Sequence, residues 1–186
     1  MAKLSVFNFV SLDGYYKDAN NKTEWHTHGG EEEGKFSEEG AQSGSILIFG
    51  RVTYDMMAGF WPSPMAHDMF PKVAAGMNKA EKIVFSKKMK KADWQNTKVI
   101  SNDIVAEMKK LKKTATHDLT ILGSGSIVAQ FAEAGLIDTY IFMVDPIAIG
   151  NGTSIFKGLK HPLNLKLASS RAFKSGAVLN TYEPQK

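Results

Sequence analysis

Short apolar runs alternate with amphipathic segments along most of the chain. Leu4–Val10, rich in Val and Phe, reads as a strand. Glu31 to Ser43 is polar and helical in outline, weakened by Gly34 and Gly40. Ile46-Leu47-Ile48-Phe49 is continuously apolar, as in a strand buried on both faces. Val52 to Gly59 reads as a short helix closed by Gly59, with Pro62 just beyond. Ala66 to Ala80 reads as a helix interrupted at Pro71 and Gly76. Ile83-Val84-Phe85 and Lys98-Val99-Ile100 are short strands, and Asn102 or Asp103 can cap a helix ending near Lys113. Leu119–Leu122 is the next strand. Ser126 to Ala134 forms a helix whose inner face holds Ile127, Val128, Phe131 and Ala134, and Gly135 ends it. Thr139 to Ile149 reads as one long strand. Leu163–Lys174 and Ala177–Tyr182 suit an antiparallel hairpin turning at Ser175-Gly176.

This βαβαβ alternation with a β-rich tail predicts an α/β fold of three layers, α/β/α. Its central sheet is mixed but mostly parallel, with helices on both faces and antiparallel strands at one edge. In such sheets ligands bind beyond the carboxyl ends of the strands, so the chemistry is sought there.

Composition narrows the field. The 186 residues fit one domain over residues 1–186. With 43% hydrophobic and 23% charged residues, wholesale disorder is excluded. The absence of cysteine excludes a disulfide framework, a thiolate zinc site and a cysteine nucleophile. The net charge is +4, with lysines clustered over Lys79–Lys91 and Lys109–Lys113. No helix-turn-helix, RNA-recognition or zinc-finger signature accompanies them, so an anionic cofactor is a more economical partner than nucleic acid. The N-terminal apolar run is too short for a signal peptide, and no stretch is long enough to span a bilayer, so a soluble cytoplasmic protein is expected.

Three strand-to-helix junctions carry the candidate chemistry. At Gly50-Arg51-Val52-Thr53 a glycine ends a buried strand, the next helix start offers free N–H groups, Arg51 offers a fork for phosphate, and Thr53 offers a hydroxyl. At Ser86-Lys87 a hydroxyl and a cation follow a buried strand. At Gly123-Ser124-Gly125-Ser126 a Gly-x-Gly turn opens a helix, which suits close approach to a pyrophosphate. It lacks the third glycine of the full dinucleotide fingerprint, and no Gly-Lys-Ser/Thr follows as in a Walker loop. Each junction alone is explained by turn geometry or solvated charge; together they could cradle a phosphorylated dinucleotide. Trp25-His26-Thr27-His28 invites a metal reading, but no third ligand is evident and a polar loop beside the cleft explains it better, so no metal is expected. Trp61, Met56, Met57, Met65 and Met69 read as core rather than as pocket wall.

Five ordered stretches resemble the dihydrofolate-reductase-like superfamily, and within it the RibD C-terminal branch, the reductase half of the riboflavin-biosynthesis deaminase–reductase. They are Ser11-Leu12-Asp13-Gly14, Gly50-Arg51-Val52-Thr53-Tyr54, Val84-Phe85-Ser86, Gly123-Ser124-Gly125-Ser126, and Gly135-Leu136-Ile137-Asp138 running into Asp145-Pro146 and Gly150-Asn151-Gly152. The resemblance implies NADPH binding and hydride transfer to a heterocycle or ribosyl-aminopyrimidine. By it, Gly50, Arg51 and Thr53 hold the cofactor phosphates, and Ser86 and Lys87 lie near the adenosine 2′-phosphate. Gly123, Ser124, Gly125, Ser126 and Ile127 meet the pyrophosphate and nicotinamide side, and Phe9 presents backbone to the nicotinamide amide. The 146–152 loop looks structural. A homodimer through strands of the C-terminal half is also implied.

The departures matter as well. The bifunctional enzyme's zinc deaminase needs cysteines this chain lacks, so only the reductive step is open to it. Folate reductases place an acid on the first helix. Here Glu32 is the best placed of Glu31, Glu32 and Glu33, against the plainer reading of a solvated acidic helix start. The aromatic after the glycine loop is replaced by Val128. Asp13 is either a turn former or a group at the mouth of the nicotinamide pocket. Water, Asp13 or Glu32 would deliver the proton. A dihydrofolate reductase and a non-catalytic nucleotide- or nucleic-acid-binding module remain the alternatives.

Overall fold

A computed structural model describes residues 1–26 and 30–185. The strands are β1 (Leu4–Ser11), β2 (Tyr15–Asp18), β3 (Ile46–Gly50), β4 (Lys82–Phe85), β5 (Thr97–Ile100), β6 (Leu119–Leu122), β7 (Thr139–Asp145), β8 (Gly152–Ser154), β9 (Leu165–Ala172) and β10 (Val178–Pro184). The helices are α1 (Glu31–Ala41), α2 (Arg51–Phe60), α3 (Pro64–Met69), α4 (Pro71–Lys79), α5 (Ile104–Thr114) and α6 (Gly125–Glu133). Eight strands form one sheet in the order β5-β4-β3-β6-β1-β7-β10-β9, while β2 and β8 make a separate two-stranded ribbon. From β5 to β7 every pairing is parallel; β10 and β9 add antiparallel at the edge. The expected mixed, mostly parallel sheet is therefore present.

Side-chain alternation along the strands divides the core between the two faces. Ile46 and Ile48 of β3 join Leu4, Val6 and Ile121 beneath Met108 of α5 and Ile127, Val128 and Phe131 of α6. Leu47 and Phe49 turn the other way, toward Tyr54 of α2 and Val73 and Met77 of α4. A third cluster on that second face joins Met143 and Phe173 to Phe7, Phe9 and Phe36 of α1. Each fully buried aliphatic or aromatic side chain contributes roughly 1.5–3 kcal/mol through removal from water.

Three boundaries differ from expectation. The 66–80 helix is two helices, because Phe70 leaves helical geometry (φ −138°, ψ 59°) and Pro71 opens α4. Gly76 does not break α4. It lets α1 pass close by: a Cβ there would lie 2.5 Å from the Ala41 carbonyl oxygen. The strand from Thr139 stops at Asp145, since Pro146 has no N–H for the ladder. The chain turns instead, with Leu12 N–H donating to the Ile147 carbonyl at 2.7 Å.

Lys82, on a strand that reads as apolar, is buried. Its ammonium donates to the carbonyls of Met77 (2.8 Å), Asn78 (3.2 Å) and Ala80 (2.6 Å) at the end of α4, and lies 4.4 Å from the Trp94 ring centroid. Burial pushes its pKa down to about 8. The three carbonyls give this buried cation the partners it needs at the negative end of the helix.

The second face also has a gap. Parallel strands are normally covered on both sides. Ser5, Phe7 and Phe9 of β1, Thr120 and Leu122 of β6, and Ile141 of β7 are only half-buried, while their alternating neighbours face the core beneath α5 and α6. This strip runs from the second apolar cluster, on which Leu122 packs, to the third, which holds Phe7 and Phe9, and it is left open. No helix among the described residues is long and apolar enough to cross a membrane.

Candidate functional site

The open strip is the floor of a cleft of about 2130 Å³ that continues round the carboxyl ends of β1, β3, β4 and β6. Pockets for a single small ligand usually hold roughly 300–1,000 Å³, so this cleft can seat two ligands side by side.

At one end of it, two junctions remote in sequence are tied together. Gly50 N–H donates to Ser124 Oγ at 2.8 Å, and Ser124 N–H donates to Thr53 Oγ1 at 3.1 Å. Gly123 (φ 61°) and Ser124 (φ 62°) are both left-handed, which turns the chain sharply from β6 into α6. Gly123 is required on a second count: a Cβ there would sit 3.0 Å from Thr53 Cγ2. A Cβ on Gly125 would lie 3.1 Å from the Tyr16 hydroxyl. Neither α2 nor α6 has a side-chain cap, so the first turn of α2 (Arg51 to Thr53) and, on α6, Ser126 bring N–H groups to the cleft, where an anion is favoured; the Gly125 amide is taken by the Tyr16 oxygen and that of Ile127 by the Ser124 carbonyl.

The remaining expected cofactor residues line the same cleft. Arg51 is half-exposed and pairs with Asp55 at 2.8 Å, a surface contact that an arriving phosphate can replace. Ser86 Oγ accepts from Lys88 N–H (3.2 Å) and Met89 N–H (3.0 Å), which leaves its own proton to donate; Lys87 is exposed beside it. Ile127 contributes only its side chain, because its N–H is bonded to the Ser124 carbonyl at 2.9 Å. β1 pairs with β6 only as far as Phe7, whose carbonyl accepts from Gly123 N–H at 3.4 Å. Phe9, two residues on, aims its own N–H and C=O to that same side, where β6 has turned away. Asn8 is 5% exposed, lines the cleft, and its Nδ2 has no hydrogen-bond partner among the described residues.

The two expected acids are placed differently. Asp13 accepts from Ser11 Oγ (2.6 Å), Ile149 N–H (3.2 Å) and Gly150 N–H (2.7 Å). These bonds, the Ser11 hydroxyl first, hold its carboxyl below the usual carboxylate range. Asp13 thus ties the turn after β1 to the 146–152 loop and is not among the cleft-lining groups. Glu32 leans outward, accepting from Lys174 N–H at 3.1 Å and facing Arg171 at 3.9 Å. One residue along α1, Glu33 is the acid that is buried, accepts from the Ser175 hydroxyl and lines the cleft.

The structure adds a pair that the sequence reading did not join. His26 Nδ1 bonds the Asp145 carboxylate, both side chains are more than nine-tenths buried, and the imidazole stacks on Phe9 with ring centroids 3.8 Å apart. His26 lies in the loop after β2, and that loop walls the cleft. His28, the other half of the metal reading, lies outside the described residues, and no group of three metal-binding side chains occurs among those described. Trp61, Met56, Met57 and Met69, expected in the core, also line the cleft, while Met65 is exposed. Their signal in sequence was their position on helices that follow a glycine-ended strand, but apolar character alone does not separate a pocket wall from a core.

Fold and cleft together define an α/β protein of the dihydrofolate-reductase-like class, with a ligand cleft split around the carboxyl ends of a mostly parallel sheet. The chain belongs to the RibD C-terminal domain family, whose model matches residues 2–179. The uncharacterized protein YyaP of Bacillus subtilis is 29% identical over 173 residues, covering 93% of this chain and 90% of that protein. YwjB of the same organism, also uncharacterized, is 24% identical over 179 residues and covers 96% of each. Among solved structures, a putative riboflavin biosynthesis protein from Shewanella sp. PV-4 superposes over all of both chains with a TM-score of 0.76 at 22% identity. A deaminase/5-amino-6-(5-phosphoribosylamino)uracil reductase from Thermotoga maritima gives 0.68 at 15% identity, with 99% of this chain matching 57% of that one. At these identities the structural matches show the shared fold.

Proposed function

We propose that the chain is an NADPH-dependent reductase that delivers hydride to a nitrogen heterocycle of the pyrimidine type. The observation that carries this reading is the bond pair Gly50–Ser124 and Ser124–Thr53. It brings two uncapped helix starts to one edge of a cleft whose floor is an open strip of sheet. The family and the reductase named among the structural relatives support it.

The residues present fit the cofactor. The first-turn N–H groups of α2, the Thr53 hydroxyl and the N–H and hydroxyl of Ser126 offer donors for a pyrophosphate, while the bonded amides of Gly50, Gly123 and Ser124 hold the two turns in place; Arg51, Ser86 and Lys87 offer charge and a hydroxyl for a further phosphate. The backbone of Phe9 and the unpaired Asn8 amide are suited to a carboxamide, which needs both a donor and an acceptor. When bound, NADPH supplies the hydride and leaves oxidised. The chain's own work is to orient and to exclude water. The aromatic floor of Phe7 and Phe9 holds a flat acceptor, and α1 closes over it through Phe36. We assign the acceptor's proton to His26, which is fixed in the cleft wall by Asp145 and Phe9, since Asp13 and Glu32 face elsewhere.

Titration with NADPH and NADH, followed by a screen of pyrimidine and pterin acceptors for loss of nicotinamide absorbance, tests this. We expect saturable NADPH binding that weakens in Arg51→Ala by more than the factor of about two that separates a real contact from noise. No binding of either cofactor would end the proposal.

A further inference from the structure

The charges along the cleft are sorted by the elements that carry them. Among the described lining residues the arginine is Arg51, at the start of α2, and the lysines come from β2, the loop after it, where Lys22 pairs with Glu24, the loop after β4 and the turn after β8. None of the described lining residues from the body of α1, from α2 beyond Arg51, from α3 and α4, or from the open strip is a cation. That half instead carries Glu33, Glu38 and Asp145 among aromatic and thioether side chains. Glu38 pairs outward with Lys72 at 2.9 Å, and Asp145 with His26. Glu33 is 7% exposed, and its hydrogen bond comes from a neutral hydroxyl, that of Ser175. The imidazole of that half, His26, is already held by the Asp145 carboxylate, so an anion placed there would lose its hydration and meet a buried carboxylate, with no fork or ammonium among the described lining residues of that half to replace the water.

We propose that the substrate half of the cleft admits a flat nitrogen heterocycle that is neutral or cationic, and rejects one that carries a phosphate or carboxylate into that half. The inference rests on the reductase reading for the word substrate, and it narrows that reading. Within ribosylated pyrimidines it selects the phosphate-free form. The floor accounts for flatness: Phe7 and Phe9 meet edge to face at 5.0 Å, and Phe36 tilts over Phe7 at 5.6 Å, so a planar ring continues the aromatic stack. Ser5 and Thr120, whose hydroxyls lie 3.2 Å apart on the strip, and Glu33 at its edge offer mostly acceptors to ring N–H and amino groups.

The test is amide and methyl chemical-shift mapping with three probes. They are inorganic pyrophosphate, 2-aminobenzimidazole, which is a flat cation near neutral pH, and benzimidazole-2-carboxylate, the same ring carrying an anion. We expect aminobenzimidazole to move Ser5, Phe7, Phe36 and Thr120 and to bind about tenfold more weakly in Glu33→Gln, the size of one lost charge-assisted contact. The carboxylate should leave those residues unmoved. The proposal is overturned if the carboxylate moves them as strongly as the cation does, or if the cation leaves them unmoved at millimolar concentration. Pyrophosphate reports on the other reading: failure to move Gly50–Thr53 and Gly123–Ser126 removes the dinucleotide assignment and leaves this charge partition standing.

Discussion

The backbone amide of Gly50 donates to the side-chain oxygen of Ser124, 74 positions later in the chain, at 2.8 Å. That bond turns two separate strand ends into one surface. Ser124→Ala removes the acceptor and leaves a part-buried N–H without a partner, at a cost of about 1–2 kcal/mol. The expected outcome is a lower urea midpoint with an unchanged m-value, together with weakened NADPH binding. Unaltered cofactor affinity in a folded variant would separate the bond from the site.

Two glycines with nearly equal φ should respond differently. Gly123 (φ 61°) faces Thr53 at 3.0 Å, whereas Gly135 (φ 63°) has open space where a Cβ would go. Gly135→Ala should cost about 1 kcal/mol for the left-handed backbone alone. Gly123→Ala should cost clearly more, since Thr53 must also shift, and it alone should reduce NADPH affinity. Thermal unfolding of both variants beside cofactor titration checks the contrast.

Lys82 is buried under its own helix end, and its three acceptors have backbone positions that cannot turn to water. Lys82→Met keeps the length of the side chain and removes every donor. A loss of about 3 kcal/mol is expected, in the range for stripping one partner from a buried charged network. Chemical denaturation measures it, and a loss under about 1 kcal/mol, the worth of an ordinary exposed contact, would contradict the packing described.

Glu133 at the end of α6 accepts from Lys160 N–H (2.6 Å) and His161 N–H (3.1 Å) and meets His161 Nδ1 at 3.0 Å. The His161 contact first, then the two amides, pull its pKa from 4.5 to about 2. Because the folded value is depressed, the stabilisation is present above pH 4.5 and is lost as pH falls toward 2. The Lys160 and His161 amide resonances should therefore titrate with a midpoint near 2 rather than near 4.5. In Glu133→Gln that titration should vanish.

Asp13 offers a test of position against chemistry. Asp13→Ala releases the amides of Ile149 and Gly150, so the 146–152 loop should lose hydrogen-exchange protection. NADPH affinity should stay close to that of the unsubstituted protein. A large fall in turnover with the loop still protected would restore Asp13 to the chemistry.

Much of the scaffold was legible from local pattern. The apolar run Ile46–Phe49 carries the signature of a strand covered on both sides, Leu119–Leu122 reads as the next strand, and both are central strands. Asp103 caps α5, with its carboxylate accepting from Val105 and Ala106 N–H, as its place before the helix implies. Gly123 and Gly125 mark the β6–α6 turn because left-handed geometry and close approach select glycine. The misjudged residues are those whose role depends on what packs against them. Pro146 ended a strand that hydropathy alone would continue, and β2 is too short and too polar to stand out from a loop.

Local sequence determined the order and type of the main elements, because hydrophobic period, caps and glycine turns act within a few residues. It also determined the two glycine junctions, since backbone geometry there restricts the residue type. Only the tertiary structure decided that Glu33 rather than Glu32 faces the cleft, because the rotation of α1 is set by its packing on α4 and the β9–β10 hairpin. Only it paired His26 with Asp145, 119 positions apart, over the ring of Phe9. Side chains that meet through such distant contacts leave no periodic trace in the chain, because what selects them is the neighbour they find after folding.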